Sequence, residues 1–115
     1  MRLLSLNCRG LGNPETVREL RLLVKKEDPQ VVFLSETRLE VSSIEWIRIQ
    51  LGMRGALGVQ RLGYGGGLAL LWSQDTDLSI KSYSLSHIDA VVKIYFVVWL
   101  NLTPSPSLCV VTLMK

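Results

Sequence analysis

The alternation of apolar and polar positions divides this chain into an α/β beginning and a β-rich remainder. Two apolar runs each end in a polar side chain: the first reaches Asn7, and the second precedes Glu36. A helical pattern lies between them, so about the first 37 residues predict a βαβ unit, whose crossover is right-handed in about 98% of cases. Asn7 and Glu36 should then lie side by side at the carboxyl edge of a parallel sheet, where open α/β folds bind ligands.

The segment between the two runs carries several helix signals. Asn13 can cap a helix, Pro14 suits its first position, and Glu15 complements the positive end of the helix dipole. The apolar positions that follow have the i, i+3, i+7 spacing of a buried helix face and are Val17, Leu20 and Val24. The helix should end by Asp28, because Pro29 disfavours helical geometry in the residue before it.

A second, shorter helix and a series of strands are predicted next. Ser42 and Glu45 have the spacing of a capping box, in which each side chain bonds the other residue's backbone amide, and Gly52 can end the helix. Its apolar stripe is Ile44, Ile47 and Leu51. Period-two and short apolar runs then predict strands at residues 56–61, 67–73, 78–84 and 88–96, the first two joined by a glycine-rich turn. The predicted fold class is α/β (α+β): a βαβα start followed by an antiparallel meander.

Composition and charge limit the chain to one small globular domain. Its 115 residues are 48% hydrophobic, and a formal net charge of +3 is compatible with a polyanionic partner but far from a basic nucleic-acid arm. Cys8 and Cys109 have neither metal-ligand spacing nor a disulfide framework, so we expect a reducing compartment and no disulfide-linked partner. The first apolar run is interrupted too early for a signal peptide, and residues 91–102 are too few for a membrane span. We expect an intracellular protein, nuclear or cytoplasmic, that is not secreted and has no membrane partner.

Four segments together carry a resemblance to a known family. They are residues 6–14 (LNCRGLGNP), 33–38 (FLSETR), 66–72 (GGLALLW) and 87–90 (HIDA). In this order and spacing they resemble the opening of the endonuclease/exonuclease/phosphatase, or DNase I-like, superfamily, and most closely the endonuclease domain of plant LINE-type (non-LTR) retrotransposons. The resemblance implies that residues 1–92 are the amino-terminal half of such a domain, which would form part of a four-layer α/β sandwich. Residues 93–115 depart from the family pattern, and we expect this apolar tail to form a strand and an irregular end.

The resemblance also implies a role for each strand-end residue. Glu36 matches the glutamate that binds the catalytic Mg²⁺ in the family, and Asn7 matches the catalytic asparagine that helps to hold the metal site and the scissile phosphate. Mg²⁺ takes oxygen ligands and is commonly held by one or two carboxylates together with substrate phosphate. It stabilises the charge that develops during phosphodiester hydrolysis. The implied cofactor is therefore Mg²⁺, and the implied partner is DNA.

Later elements of the family's site have no match in this sequence: a tyrosine in a Gly-x-Tyr-like strand, an Asp-x-Asn pair and a Ser-Asp-His segment. Tyr95 lacks the glycine frame, and His87 stands before a strand in the middle of the pattern, so we interpret His87 as a strand-edge residue. The same interpretation, as turn or strand-edge residues, applies to Asp75, Asp77 and Asp89. We therefore expect a truncated relic of a LINE-type Mg²⁺-dependent DNA endonuclease that is catalytically inactive as this chain.

Two alternatives remain open. A phosphatase acting on inositol lipids would share the fold. A noncatalytic nucleic-acid-binding or interaction module would instead use basic side chains, although acidic neighbours dilute their charge. Those side chains are Arg9, Arg18, Arg21, Lys25 and Lys26.

Half of a two-sheet sandwich should also leave apolar side chains uncovered. We expect Leu68, Leu70, Trp72 and residues 91–102 to be partly exposed. Exposed apolar patches and unpaired strand edges favour self-association, so a poorly soluble or molten species is the expectation.

Overall fold

The computed structural model describes residues 2–63, 65–98 and 103–114, and for residues 93–98 and 103–114 it describes the backbone. Two α-helices and seven β-strands occupy this part of the chain. In chain order they are β1 (Leu3–Asn7), α1 (Pro14–Glu27), β2 (Val31–Ser35), α2 (Ile44–Leu51), β3 (Gly55–Leu62), β4 (Gly65–Trp72), β5 (Asp77–Tyr83), β6 (His87–Val98) and β7 (Thr103–Met114). Neither described helix is long and apolar enough to cross a membrane.

The strands form two sheets. The first has the order β1-β2-β4-β3, in which β1 and β2 are parallel and the other pairs are antiparallel. The second has the order β5-β6-β7 and is antiparallel throughout. The predicted α/β class with a βαβα start is therefore confirmed, and the predicted antiparallel meander is divided between the two sheets, with β3 and β4 in the first and β5 and β6 in the second.

Helix α1 forms where its capping and periodicity predict. The Asn13 Oδ1 accepts a hydrogen bond from the Glu15 N–H at 3.0 Å, and Pro14 is the first helical residue. The residues predicted for the apolar face are all buried: Val17, Leu20 and Val24. The helix ends at Glu27, and the capping residue after it, Asp28, has φ +48° and donates its N–H to the Val24 carbonyl at 2.9 Å.

The predicted capping box at the start of α2 is wrong. Ser42 lies inside a 3₁₀ turn, Val41–Ser43, and the residue that precedes α2, Ser43, makes no capping hydrogen bond with its side chain. A 3₁₀ turn lacks the extended backbone that an N-cap residue needs. The Glu45 carboxylate instead accepts a hydrogen bond from Arg48 Nε at 3.0 Å. The apolar stripe is confirmed, because Ile44, Ile47 and Leu51 are buried.

Two apolar clusters place the first sheet between the helices and the second sheet. One cluster joins α1 and α2 to one face of the first sheet and includes Val17, Leu20, Val32, Leu34, Ile47 and Leu71. The other lies between the sheets and includes Val31, Phe33, Val59, Leu68, Leu70, Ile88, Ala90 and Val92. The described chain therefore has three layers: helices, the four-stranded sheet and the three-stranded sheet.

The second cluster corrects the expectation that the first sheet would be exposed. Leu68 and Leu70 are both 0% exposed, because β6 covers them with Ile88 and its neighbours. Trp72 is half-buried. The side chains of residues 93–102 lie outside the described residues.

The last part of the described chain forms two paired strands, β6 and β7. Strand β6 continues through the domain boundary expected at residue 92, and that boundary stays a prediction. The expected irregular end is corrected, because Thr103–Met114 forms β7 and pairs with β6 from His87 to Val98. Pairing along the whole of β6 supplies backbone hydrogen bonds that the local sequence does not specify.

Candidate metal and phosphate site at the sheet edge

The parallel pair β1–β2 brings Asn7 and Glu36 to the same edge of the first sheet. Asn7 lies opposite Ser35, and Glu36 is the next residue along the chain. The two segments stay paired beyond the strands, since the Cys8 N–H donates to the Ser35 carbonyl at 2.9 Å and the Gly10 N–H donates to the Glu36 carbonyl at 2.7 Å. The edge is therefore a hydrogen-bonded platform of backbone.

Asn7 forms a turn at the end of β1. Its Oδ1 accepts a hydrogen bond from the Arg9 N–H at 3.1 Å, and Arg9 adopts φ +51°. An asparagine that bonds the amide two residues on is a turn-forming residue. This turn sets the direction in which the chain leaves the sheet, and it leaves Arg9 exposed at the edge.

Glu36 is held by two contacts from different parts of the chain. Its Oε2 accepts a hydrogen bond from the Gly66 N–H at 3.1 Å and lies 3.9 Å from Arg38 Nε. The Glu36 side chain is 21% exposed, so its carboxylate is partly shielded from water. Glu36 and Arg38 also have positive φ angles, +52° and +54°. Such angles are costly for residues with side chains and cluster at functional sites.

Thr37, which lies between Glu36 and Arg38, is buried against the start of β4. Its N–H donates to the Gly67 carbonyl at 3.2 Å, and the Arg38 N–H donates to the Gly66 carbonyl at 2.9 Å. Thr37 is 0% exposed, and its Oγ1 has no hydrogen-bond partner among the described residues. The segment from Glu36 to Arg38 is thus clamped between the end of β1 and the start of β4.

Basic side chains surround this edge. Half of the Arg38 side chain is exposed, and its Cδ would lie 3.4 Å from a Cβ at Gly10, so the Arg38 stem crosses the backbone of the β1 turn. Arg61 is different, because its guanidinium bonds the Glu40 carboxylate at 2.7 and 3.0 Å. Arg9 is exposed, and Arg38 is half-exposed although it lies 3.9 Å from the Glu36 carboxylate, so these two side chains can present positive charge to an anion at this edge.

Two basic residues of α1 are already engaged with neighbours. Arg18 lies 3.9 Å from the Glu15 carboxylate, and Arg21 donates to the Gln50 side chain at 3.4 Å. These contacts are on the exposed surface, where such pairs contribute little to stability. The Glu15 carboxylate nevertheless offsets part of the positive charge that α1 offers to a polyanion.

The oxygen donors at this edge fit a weakly held hard cation. Among the described residues, no group of three or more His, Cys, Asp or Glu side chains could hold a metal ion. Glu36 supplies one carboxylate, and Asn7 supplies a carboxamide. Mg²⁺ commonly keeps several waters and takes only one or two carboxylates together with substrate phosphate. The donor chemistry thus fits Mg²⁺, whereas an all-protein cage is not formed by the described residues.

His87 belongs to a different part of the described structure, the β5–β6 hairpin. Its Nδ1 is 2.5 Å from Ser84 Oγ, and its Nε2 is 3.7 Å from Asp89 Oδ2. Asp89 also accepts a hydrogen bond from Ser82 Oγ at 2.8 Å. His87 is the first residue of β6, in agreement with its interpretation as a strand-edge residue, whereas Asp89 is the third residue of β6 and pairs with both β5 and β7. Asp77 is the first residue of β5, and Asp75 lies in the turn before it.

Cys8 follows Asn7 and lines a cleft of about 330 Å³ between β1 and α1. Burial raises the pKa of the Cys8 thiol to about 11. The thiol therefore stays protonated at neutral pH and behaves as a small apolar side chain. Cys8 is a free cysteine in the structure.

The sequence did not reveal the contact between Gly66 and Glu36. The two residues are 30 positions apart, and the sequence indicates the glycine-rich segment only as a turn that joins two strands. The available signal was that two glycines directly precede the buried part of β4. Glycines at that position are typical of a close backbone approach as well as of a turn.

Comparisons with known proteins include a likeness to a solved structure. No protein-family model and no curated protein matches this chain. A crystal structure of D. rerio TDP2, humanized by 14 mutations, aligns with 17% sequence identity and a TM-score of 0.49. The alignment covers 81% of this chain and 41% of that chain, so this chain spans less than half of the length of that protein.

Proposed function

We propose that the sheet edge at Asn7 and Glu36 is the carboxamide and carboxylate part of a Mg²⁺-dependent phosphodiesterase site of the DNase I-like type. The parallel register of β1 and β2 carries this proposal, because it brings both residues to one edge. The amino-acid sequences of residues 6–14 and 33–38 favour a LINE-type DNA endonuclease as the parent protein. This chain would correspond to the amino-terminal half of that domain.

Each residue of the edge has a separate task in this proposal. Glu36 anchors the cation, and a bound Mg²⁺ would stabilise the charge that develops on the phosphate. The Asn7 carboxamide can donate from Nδ2 to a phosphate oxygen while its Oδ1 accepts from the Arg9 N–H. Arg9 and Arg38 attract the phosphate backbone, since their guanidinium groups suit phosphate geometry.

A direct test of Glu36 uses Mn²⁺ as a paramagnetic probe. Mn²⁺ should broaden the backbone NMR signals of residues 35–38 and 66–67, and Glu36→Gln should abolish this effect. Glu45→Gln is the matched control, because Glu45 is an exposed carboxylate on α2 that pairs with Arg48. Broadening that survives Glu36→Gln, or that never centres on Glu36, would contradict the proposal.

The affinity for the metal should be low, because one carboxylate supplies most of the protein's negative charge at the edge. Isothermal titration with Mg²⁺ should therefore fall well short of saturation at ordinary cellular concentrations. Stoichiometric submicromolar binding would show that further carboxylates reach the site and that the donor set is larger than proposed.

The purified chain should not nick supercoiled plasmid in the presence of Mg²⁺ or Mn²⁺. It lacks the Asp-x-Asn and Ser-Asp-His elements, and loss of a general base alone costs about 10²–10⁴-fold in rate. Metal-dependent nicking that disappears in Glu36→Ala would overturn this expectation. Nicking that persists in Glu36→Ala would identify a contaminating nuclease.

A noncatalytic nucleic-acid-binding role is the second candidate, and the exposed guanidinium groups at the sheet edge favour it. DNA affinity should then fall steeply between 50 and 200 mM salt, by about tenfold for every two phosphates neutralised. Fluorescence anisotropy would compare Arg9→Gln/Arg38→Gln with Arg18→Gln/Arg21→Gln. The first pair should weaken binding more, because Arg9 and Arg38 lie at the sheet edge proposed to bind the phosphate backbone, whereas Arg18 and Arg21 lie on α1. Equal effects would instead point to a diffuse basic surface.

A further inference from the structure

We propose that Gly66 and Gly67 are positioning residues for the Glu36 carboxylate. The Gly66 N–H fixes one carboxylate oxygen, and Gly67 lets the two backbone segments come close enough for that bond to form. This inference rests on the proposed function of Glu36, and it assigns the glycine-rich turn a task beyond joining two strands.

The bond from Gly66 is the kind that orients a metal ligand. Its N–H lies 3.1 Å from Glu36 Oε2 in a partly buried position. A backbone amide that donates to a carboxylate forms a charge-assisted hydrogen bond, which is stronger than a neutral one. Together with Arg38 Nε at 3.9 Å, it holds one oxygen of the carboxylate and so restricts the plane of the group. Partners that bond ligand side chains in this way tune metal affinity.

Gly67 permits the approach because it has no side chain. A Cβ at this position would lie 2.4 Å from Thr37 Oγ1 and 3.3 Å from the Arg38 backbone nitrogen. Real Cβ atoms do not approach other atoms as closely as 2.4 Å, so the Thr37 side chain would have to shift, and the Arg38 backbone nitrogen at 3.3 Å would have to give by a few tenths of an ångström. Thr37 and Arg38 directly follow Glu36 and donate two backbone hydrogen bonds to this end of β4. A side chain at residue 67 should therefore displace the Glu36 carboxylate.

Backbone conformation adds to this requirement. Gly66 has φ +74° and Gly67 has φ +90°, values that residues with side chains rarely adopt. The same hairpin contains Gly63, which also has a positive φ of +58° but has open space where its Cβ would be. Gly63 thus shares the backbone strain of the turn without the contact to the Glu36 segment, and it is the matched control.

The test measures Mn²⁺ affinity by paramagnetic broadening in the wild-type chain, Gly67→Ala and Gly63→Ala. Gly67→Ala should weaken the affinity by about 10–100-fold, the range seen when the partner of a metal ligand is lost. Gly63→Ala should leave the affinity unchanged. A double variant, Gly67→Ala/Thr37→Ala, should recover part of the affinity, because it removes the oxygen that the new Cβ would strike.

A second readout needs no metal. The amide proton of Gly66 should resonate downfield in the wild-type chain, because it bonds a carboxylate. It should move upfield by a similar amount in Glu36→Ala and in Gly67→Ala, and remain in place in Gly63→Ala. If Gly67→Ala does not fold, the double variant carries both measurements, with Thr37→Ala alone as its reference.

The outcomes separate this inference from the proposed function. Wild-type broadening at Glu36 that Gly67→Ala leaves intact would overturn the positioning role and leave the metal role standing. The absence of broadening at Glu36 in the wild-type chain would overturn both. A Gly66 amide shift that does not respond to Glu36→Ala would remove the hydrogen bond on which the positioning role depends.

Discussion

The packing of the second sheet against the first can be tested at Leu70. This side chain is 0% exposed at the centre of β4, on the face covered by β6. Leu70→Ala removes three carbon atoms from a cluster that joins the two sheets. If the sandwich is formed as described, this substitution should be among the most destabilising in the chain.

The expected size of the effect follows from complete burial. Replacing a fully buried leucine by alanine costs about 2–5 kcal/mol, because the lost transfer free energy is added to the cost of the remaining cavity. A domain of this size has a total stability of roughly 5–15 kcal/mol. Leu70→Ala should therefore lower the melting temperature by on the order of 10 °C, with the unfolding still cooperative.

Urea unfolding followed by circular dichroism measures the change in the free energy of unfolding. Leu62→Ala is the control, because Leu62 is 67% exposed at the end of β3 and should change stability by no more than about 0.5 kcal/mol. Ile88→Ala, on β6, should resemble Leu70→Ala, since Ile88 is also 0% exposed in the same cluster. The double variant should reveal a coupling energy of about 0.5–3 kcal/mol, as expected for neighbouring sites.

A change in the free energy of unfolding below about 0.5 kcal/mol for Leu70→Ala would refute the reasoning, because truncating a fully buried leucine costs more than this. Non-cooperative unfolding of the wild-type chain with strong binding of a hydrophobic dye would also refute it. That result would restore the expectation of an uncovered first sheet.

Three further predictions concern local interactions. Asn13→Ala should lower the free energy of unfolding by about 1 kcal/mol, with Asn13→Gly costing only a few tenths, because the carboxamide caps α1. In a Cys109→Ser background, Cys8 in the folded chain should react with iodoacetamide at pH 8 roughly 100-fold more slowly than Cys8 in the urea-unfolded chain, because the raised pKa leaves less thiolate. The stabilisation that comes from burying the protonated Cys8 thiol is complete below pH 9 and is lost as the pH rises towards about 11. The hydrogen bond from Arg48 lowers the pKa of Glu45, so the stability difference between wild type and Glu45→Gln should be present at neutral pH and disappear as the pH falls through that lowered pKa. Chemical denaturation, alkylation kinetics and a pH series of melting curves check these three in turn.

Helix α1 and the ends of β1 and β2 could be predicted from the sequence because their signals are local. The cap at Asn13 and the period of the apolar face each act within a few residues, so neither depends on the rest of the fold. The parallel pairing of the two strands in the βαβ unit then brings Asn7 and Glu36 to one edge, and the observed register agrees. Their roles in metal and phosphate binding stay predictions.

The start of α2 shows where a local signal misled. Ser42 and Glu45 have the spacing of a capping box, but the chain enters α2 through a 3₁₀ turn, and Glu45 pairs with Arg48. Propensity favours such boxes only weakly, and competing contacts within one or two turns are enough to displace them.

Only the tertiary structure decided which strands are neighbours and what covers them. Strand β4 lies between β2 and β3, and this order brings the Gly66 N–H to the Glu36 carboxylate across 30 residues. Strand β6 buries Leu68 and Leu70, which the sequence predicted to be partly exposed. Such pairings depend on closing long loops and burying two faces at once, so the residues involved carry no nearby pattern that identifies their partners. The sequence by itself determined the elements and the edge where Asn7 and Glu36 end, whereas tertiary packing decided how Glu36 is held there.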